Sequence, residues 1–447
     1  MLELLKHAEE MGVDFADLRR NWVKVLSASV SDDRITVPSN GVEEGYSIRV
    51  LYRNSWGYRT STKLSREDLE EAVKTSFGDE RVSIVNLPPK RDSIYVKPKV
   101  SLDVPMERKL KTLKAIRDQL KSSFSAVKSV TVSYREEKVR KEYYSTEGRE
   151  IEQSWEFSYL SLRAYAMEGE VVASSFSTAS TYYGYVLEMI DLNQLVDDLI
   201  NKLKAQLKGV PPKAGEYTVV LSPQVVGVFS HEAIGHLAEA DLAVNGILRN
   251  LIGRTVARST VSVSDSPSLP ADNAIGFTPY DDEGVEGREV RIVEQGKVRE
   301  VMNDRYYASY FGQPPTGNGR TEDFRSPVLI RMRNTYMKPG DMQLDELLEG
   351  IKEGFLMVSP VGGQTSPDGT FQFGIQEGYR IVNSEIGESL RNVGISGYTL
   401  ETLSKIDGVS KDFQVWPGFC GKGGQLVPVS TAGPYIRVRE LKVGGVA

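Results

Sequence analysis

The sequence predicts an α+β fold in two domains: an N-terminal mixed sheet with helices over residues 1–208, and a C-terminal glycine-rich mixed α/β domain over 209–447. Three observations predict it. A chain of 447 residues exceeds what one hydrophobic core organises. Its first half interleaves segments of helical period with segments that alternate like strands. A cluster of Gly209, Pro211 and Pro212 then breaks the pattern and marks the boundary.

Taken in order, the opening MLELLKHAEEMG reads as an amphipathic helix continuing to about Asn21. KVLSASVSDD and SIRVLYRNSWGYRTST alternate like strands, with a turn at Arg53-Asn54-Ser55. SREDLEEAVKTSF has a capping serine, Ser65, and an acidic first turn, so it predicts a helix. Met106, Leu110, Leu113, Ile116 and Leu120 recur at helical spacing, and the basic residues between them form a solvated face. Residues 128–190 read as an antiparallel sheet with turns at Glu147-Gly148 and Glu168-Gly169. Leu192 to Leu207 again has a helical period.

Beyond the boundary, EYTVVLSP is a buried-strand candidate that leads through SPQVVGVFS into a helix start. GTFQFGIQEGYRIV and PYIRVRELKV alternate like strands. The run GKGGQ lacks the order of a phosphate-binding loop, so its glycines read as turn formers and no nucleotide is expected.

Composition excludes several functions. Apolar residues at 40% and charged residues at 26% describe an ordinary globular protein. A net charge of −6 argues against generic affinity for nucleic acid or anionic membrane, both of which need clustered positive charge. No window reaches the roughly 18 apolar residues of a membrane span, and the N-terminus lacks a basic leader and an apolar signal stretch. With one cysteine there is no intramolecular disulfide, so a cytoplasmic protein is expected.

The chemistry concentrates in FSHEAIGHLAEAD. In a chain with three histidines, His231 and His236 stand together there with Glu232. Two imidazoles suit a borderline-soft cation, and an adjacent carboxylate suits a base that deprotonates water. The spacing is H-E-x-x-x-H, one residue longer than the pair that puts both rings on one helical face. Residues five apart on a regular helix are separated by about 140° and about 7.5 Å, yet both ring nitrogens must lie about 2 Å from one ion. Either a π-type widening, the preferred reading, or loosening at Gly235 must bring them together. The bland alternative is a hydrogen-bonded histidine pair near a helix start. His7 has no partner nearby and reads as an ordinary surface or half-buried residue.

A catalytic zinc normally has three protein ligands, and the residues leave Glu239, Asp241 and Cys420 as candidates for the third. Cys420 lies in WPGFCGKGGQLVPVS, read as a glycine-rich turn. Arg331, Arg333 and Asn334 are candidate donors to an oxyanion, although charged residues beside a strand are more often solvated. Asp281, Asp282 and Glu283 read as a structural turn.

HEAIGHLAEAD followed far downstream by FCGKGGQLVPVS resembles the TldD/PmbA peptidase family, in particular its metal-bearing TldD-type members. GVEEGYSIRVLYRNSWGYRTST, TPYDDEGVEGREVRIVEQGKV, TGNGRTEDFRSPVLIRMRNTYMKPGD and GGQTSPDGTFQFGIQEGYRIVN extend the resemblance over nearly the whole chain. It implies a zinc metalloprotease whose metal is held by His231, His236 and Cys420, with Glu232 as catalytic base. It also implies unfolded peptides or small unfolded proteins as substrates, and a dimer, either with a homologous metal-free subunit or with a second copy. An extended peptide would add to a strand edge by backbone hydrogen bonds, and residues 370–382 are a candidate for that strand. Two rivals are a non-catalytic peptide-binding or regulatory subunit of such a complex and a metal hydrolase acting on other substrates. The first would be expected to lack the four residues that this chain keeps.

Overall fold

The structure is a computed structural model that describes residues 1–32, 34–78 and 81–445. Among these residues the N-terminal half is built on one sheet. Its strands are β1 (Phe15–Ser31), β2 (Arg34–Tyr52), β3 (Ser55–Ser61), β4 (Lys90–Tyr95), β5 (Val127–Ser145), β6 (Arg149–Glu168) and β7 (Val171–Thr181). They lie in the order β3-β2-β1-β5-β6-β4, and β7 shares the outer edge of β6 with β4. The tight turn between β2 and β3 places Arg53 and Asn54 at positive φ, as a two-residue hairpin of this twist requires.

Helices cover one face of this sheet. α1 (Leu2–Glu10) and α2 (Arg66–Lys74) bury Leu5, Leu69 and Ala72 against Leu18, Ile48 and Val50. Ser65 and Asp68 close α2 in a reciprocal capping box. α3 (Met106–Ser123) and α4 (Leu192–Lys208) bury Leu113, Ile116, Leu199 and Leu203 against Val130, Val132, Leu160 and Leu162. Lys109 departs from the expected solvated face of α3. It is buried, with its ammonium 2.6 Å from Glu136.

The opening helix stops at Glu10, well before Asn21. Gly12, at φ +74°, turns the chain, and residues 15–21 belong to β1. Asp17, Arg19 and Asn21 are buried on the face of β1 opposite the helices. Polar residues kept inside remove the polar-out alternation by which a strand is recognised.

The C-terminal half adds β8 (Gly215–Leu221), β9 (Val263–Ser266), β10 (Val290–Glu294), β11 (Lys297–Val298), β12 (Gly319–Arg320), β13 (Leu329–Ile330) and β14 (Asn334–Met337). After these come β15 (Glu353–Thr365), β16 (Thr370–Val382), β17 (Glu385–Ser389), β18 (Val393–Tyr398) and β19 (Ile406–Val409). The chain ends in β20 (Gln414–Lys422), β21 (Gln425–Gly433) and β22 (Ile436–Gly445). One sheet has the order β11-β10-β9-β14-β21-β20, and another the order β15-β8-β22-β18-β16-β17 with β19 beside β22. A helix, α5 (Pro223–Phe229), contacts strands of both and buries Val225, Val226 and Phe229 between them.

Two expectations about strands change here. β16, which holds residues 370–382, pairs with β15 on one side and with β17 and β18 on the other, so it offers no free edge to a peptide. Cys420 sits within β20 and not in the turn, which is Gly423-Gly424 at φ +58° and +76°.

The buried polar face of the N-terminal sheet meets the loop 281–283, which is therefore more than a turn. Arg49 bridges Asp17 at 2.5 Å and Glu283 at 2.6 Å. Glu283 also accepts the backbone N–H of Arg305, whose guanidinium lies 2.6 Å from Glu147. Lys141 of β5 pairs with Asp282 at 2.9 Å. No helix among the described residues is long and apolar enough to cross a membrane.

Candidate metal centre

The site begins where β8 ends. Ser222 caps α5 by accepting the N–H of Val225, and Pro223 occupies a first-turn position where its missing N–H costs nothing. The helix then widens. Ser230–Gly235 is a π-helix, and His236 donates its backbone N–H to the carbonyl of His231, the i→i+5 bond that defines the form. The wider turn brings the His231 and His236 rings together, with centroids 5.2 Å apart.

Gly235 does not loosen the backbone, since its φ of −60° and ψ of −53° are helical. Its absent side chain makes room instead, because a Cβ there would overlap the sulfur of Met332. Gly227 acts similarly about two turns earlier, where a Cβ would stand 3.0 Å from the backbone nitrogen of Ala432. The two glycines seat the helix on its neighbours.

The third residue arrives from the other end of the chain. In the β20–β21 hairpin Cys420 faces Val427, and Arg331 donates from Nη2 to the Cys420 carbonyl at 2.5 Å. The thiol is buried, with Sγ 3.6 Å from Nε2 of His236. One ligand atom from each of His231, His236 and Cys420 lies within 4.8 Å of the others, and this group could hold a metal ion.

Electrostatics bind the three together. Burial pushes the Cys420 thiol up, but the charges and hydrogen bonds of His231 and His236 outweigh it and bring the thiol down to about 5. Burial lowers His236, while hydrogen bonds to Cys420 and Glu239 raise it to about 10. His231 is raised against its own burial by Cys420. Protons shared in this way are those that a cation displaces.

The donor set suits zinc. Bonds of about 2.0 Å to nitrogen and about 2.3 Å to sulfur place tetrahedral ligands roughly 3.3–3.8 Å apart, and the thiol and Nε2 of His236 are at 3.6 Å. Nδ1 of buried His231 has no hydrogen-bond partner among the described residues. Glu232, about a quarter exposed, places Oε2 3.7 Å from Nε2 of His236.

The other candidates sit elsewhere. Glu239 lies behind His236, with Oε2 3.0 Å from Nδ1, and Asp241 pairs with Lys422. Arg331, Arg333 and Asn334 are fully buried. Arg333 is tied to Asp265 at 2.7 Å, Asn334 donates to Ser266, and Arg331 donates to the Cys420 carbonyl while its Nε has no hydrogen-bond partner among the described residues. Glu239 and Lys422 acquire partners that sequence spacing alone does not reveal, since a buried carboxylate three residues after a histidine looks like any helix-end acid.

Such a donor set is the kind that a metal-dependent hydrolase uses. Residues 16–78, 99–207 and 214–445 match, respectively, domain 1, the central domain and the C-terminal domain of the PmbA/TldA metallopeptidases. The chain belongs to the PmbA/TldA metallopeptidase family. It is 48% identical to a zinc metalloprotease TldD homolog of Saccharolobus solfataricus, over 100% of both chains. It is 35% identical to a metalloprotease of Methanothermobacter thermautotrophicus, over 97% of this chain and 96% of the relative. The fold is that of TldE from Thermococcus kodakarensis, with a TM-score of 0.81 at 20% identity over 100% of each chain.

Proposed function

We propose that this metallopeptidase is zinc-dependent and hydrolyses unfolded peptides or small unfolded proteins, with His231, His236 and Cys420 as metal ligands and Glu232 as base. The observation that carries it is the convergence of the three ligand atoms within 4.8 Å from positions 231, 236 and 420. Zinc, when bound, supplies Lewis acidity that makes water acidic near neutrality and polarises the scissile carbonyl. The remaining steps belong to the chain. Glu232, partly exposed beside His236, accepts a proton from water and later passes it to the leaving amine. The zinc metalloprotease from Saccharolobus solfataricus supports the choice of metal.

A peptide needs a strand edge, and β20 has one. It is the outermost strand of its sheet and carries Cys420. On that edge the carbonyl of Val415 is already held by Asn273 and Pro417 has no N–H, which leaves Phe419 and Gly421 to read backbone and little sequence. In this reading residues 1–208 govern pairing and access, and residues 209–447 carry the chemistry. The working unit is a dimer with a homologous metal-free subunit or a second copy. The single free cysteine supports a reducing cytoplasm.

Zinc content of the purified chain and release of new amino termini from an unfolded test protein provide the test. Glu232→Gln should keep its zinc and lose cleavage, and Cys420→Ser should lose most of its zinc. Wild-type cleavage by Glu232→Gln would remove the base, and full zinc in Cys420→Ser would remove the thiol ligand.

A further inference from the structure

The two ring nitrogens of His236 point at different partners. Nε2 faces the Cys420 sulfur, and Nδ1 faces Oε2 of Glu239 at 3.0 Å. Glu239 follows a 3₁₀ turn, His236–Ala238, and its own backbone is extended, which folds its side chain back beneath the ring. The carboxylate is completely buried. Such a group is costly unless it is paired.

Its cation is Lys422. The ammonium lies 3.2 Å from the same Oε2 of Glu239, 2.8 Å from Asp241 and 3.0 Å from the carbonyl of Ile330. Lys422 stands two residues after Cys420 on β20, and alternation along a strand sends both side chains to one face. One strand therefore supplies both the thiol and the ammonium that holds the acid behind the imidazole. A strand and a widened helix 184 residues apart in sequence are tied at two points, one through the sulfur and one through the lysine.

We infer that Glu239 and Lys422 are positioning residues for the metal centre. Glu239 accepts the Nδ1–H of His236, which fixes the tautomer with a lone pair on Nε2 and holds the ring toward Cys420. Lys422, 3.2 Å from Oε2, holds that carboxylate in place. Glu239 is not among the three residues whose ligand atoms converge; its Oε2 is committed to Nδ1 and Lys422, and its Oε1 has no hydrogen-bond partner among the described residues. A carboxylate that orients a ligating histidine and raises its basicity typically accounts for 10–100-fold in metal affinity.

The inference rests on His231, His236 and Cys420 being ligands, and its test separates the two readings. Zinc affinity of the full chain is measured by competition with a chromophoric chelator for wild type, Glu239→Gln, Glu239→Ala, Lys422→Met and Cys420→Ser. Glu239→Ala should weaken zinc about 100-fold and Glu239→Gln about 10-fold, since an amide oxygen still accepts the N–H but carries no charge. Lys422→Met should fall within the same range. In cobalt-loaded Glu239 variants the thiolate charge-transfer band should persist while the ligand-field bands shift. A purely structural role would lower the melting temperature of the metal-free chain and leave those bands as in wild type. Wild-type zinc affinity in Glu239→Gln overturns the inference, even if Glu239→Ala fails to fold. Absence of zinc from wild type, or unchanged affinity in Cys420→Ser, overturns the ligand reading and the inference with it.

Discussion

The ring of Phe419 stands edge-on to that of Tyr159, with centroids 5.1 Å apart. The next residue, Cys420, faces the other way and reaches His236. One β-strand therefore joins the N-terminal sheet to the metal centre through two consecutive side chains. An aromatic pair of this geometry is worth about 0.5–1.5 kcal/mol beyond the area it buries.

Denaturant unfolding of Phe419→Ala, Tyr159→Ala and the double variant should therefore give a coupling energy of about 1 kcal/mol. Strict additivity of the two single effects would mean that the rings merely adjoin, and that β20 is seated on β6 by something else.

Gly235 provides a second test because two explanations of it predict opposite signs. If the glycine only loosened the helix, alanine would stabilise the segment by up to about 1 kcal/mol through helix propensity. The overlap with Met332 predicts the reverse, a loss of about 1–3 kcal/mol from overpacking. Combining Gly235→Ala with Met332→Ala should recover part of that loss, as read from denaturation midpoints.

The part of this architecture legible in the sequence was the part set by local chemistry. Ser65 announced α2, the Arg53-Asn54 turn announced the β2–β3 hairpin, and Gly209 with its prolines marked the end of α4. The extra residue between His231 and His236 required a widened helix on geometric grounds, and Ser230–Gly235 is one. What stayed hidden depends on long-range burial. Asp17, Arg19 and Asn21 look solvated in the sequence because their cover, the loop 281–283 among it, comes from much later in the chain. Arg331 and Arg333 looked available for the same reason, since neither Asp265 nor the Cys420 carbonyl is near them in sequence.

The buried network between the two halves should be sensitive to the loss of one partner. Arg49→Met leaves Asp17 and Glu283 in the interior without their shared cation. The expected cost is about 3–5 kcal/mol, because an unpaired buried charge outweighs the pair it came from. Arg380→Met, which breaks a half-exposed pair with Glu353, should change stability by less than about 1 kcal/mol. Similar losses in both would show that the Arg49 pair is no better desolvated than a surface one.

The same network gives stability a pH dependence, and the share of one residue in it can be isolated. Asp304 caps the helix at Arg305–Phe311, accepting the N–H of Tyr307 at 2.8 Å. Burial, with the charge of Glu283 behind it, pushes its carboxyl up to about 7. In the unfolded chain the same group titrates near 3.9. Between these values the folded state holds the extra proton, so this contribution to stability is fully present below about 4 and disappears as pH rises through about 7. The slope is at most about 1.4 kcal/mol per pH unit. Asn caps helices about as well as Asp and cannot ionise, so Asp304→Asn should keep the helix and remove this share of the slope, leaving that of Asp281, which burial and Glu283 raise to about 8. Denaturation midpoints of the metal-free chain at pH 5, 6 and 7 provide the measurement. Wild type should lose stability across that series relative to Asp304→Asn, and parallel curves would mean that Asp304 is already ionised at pH 5.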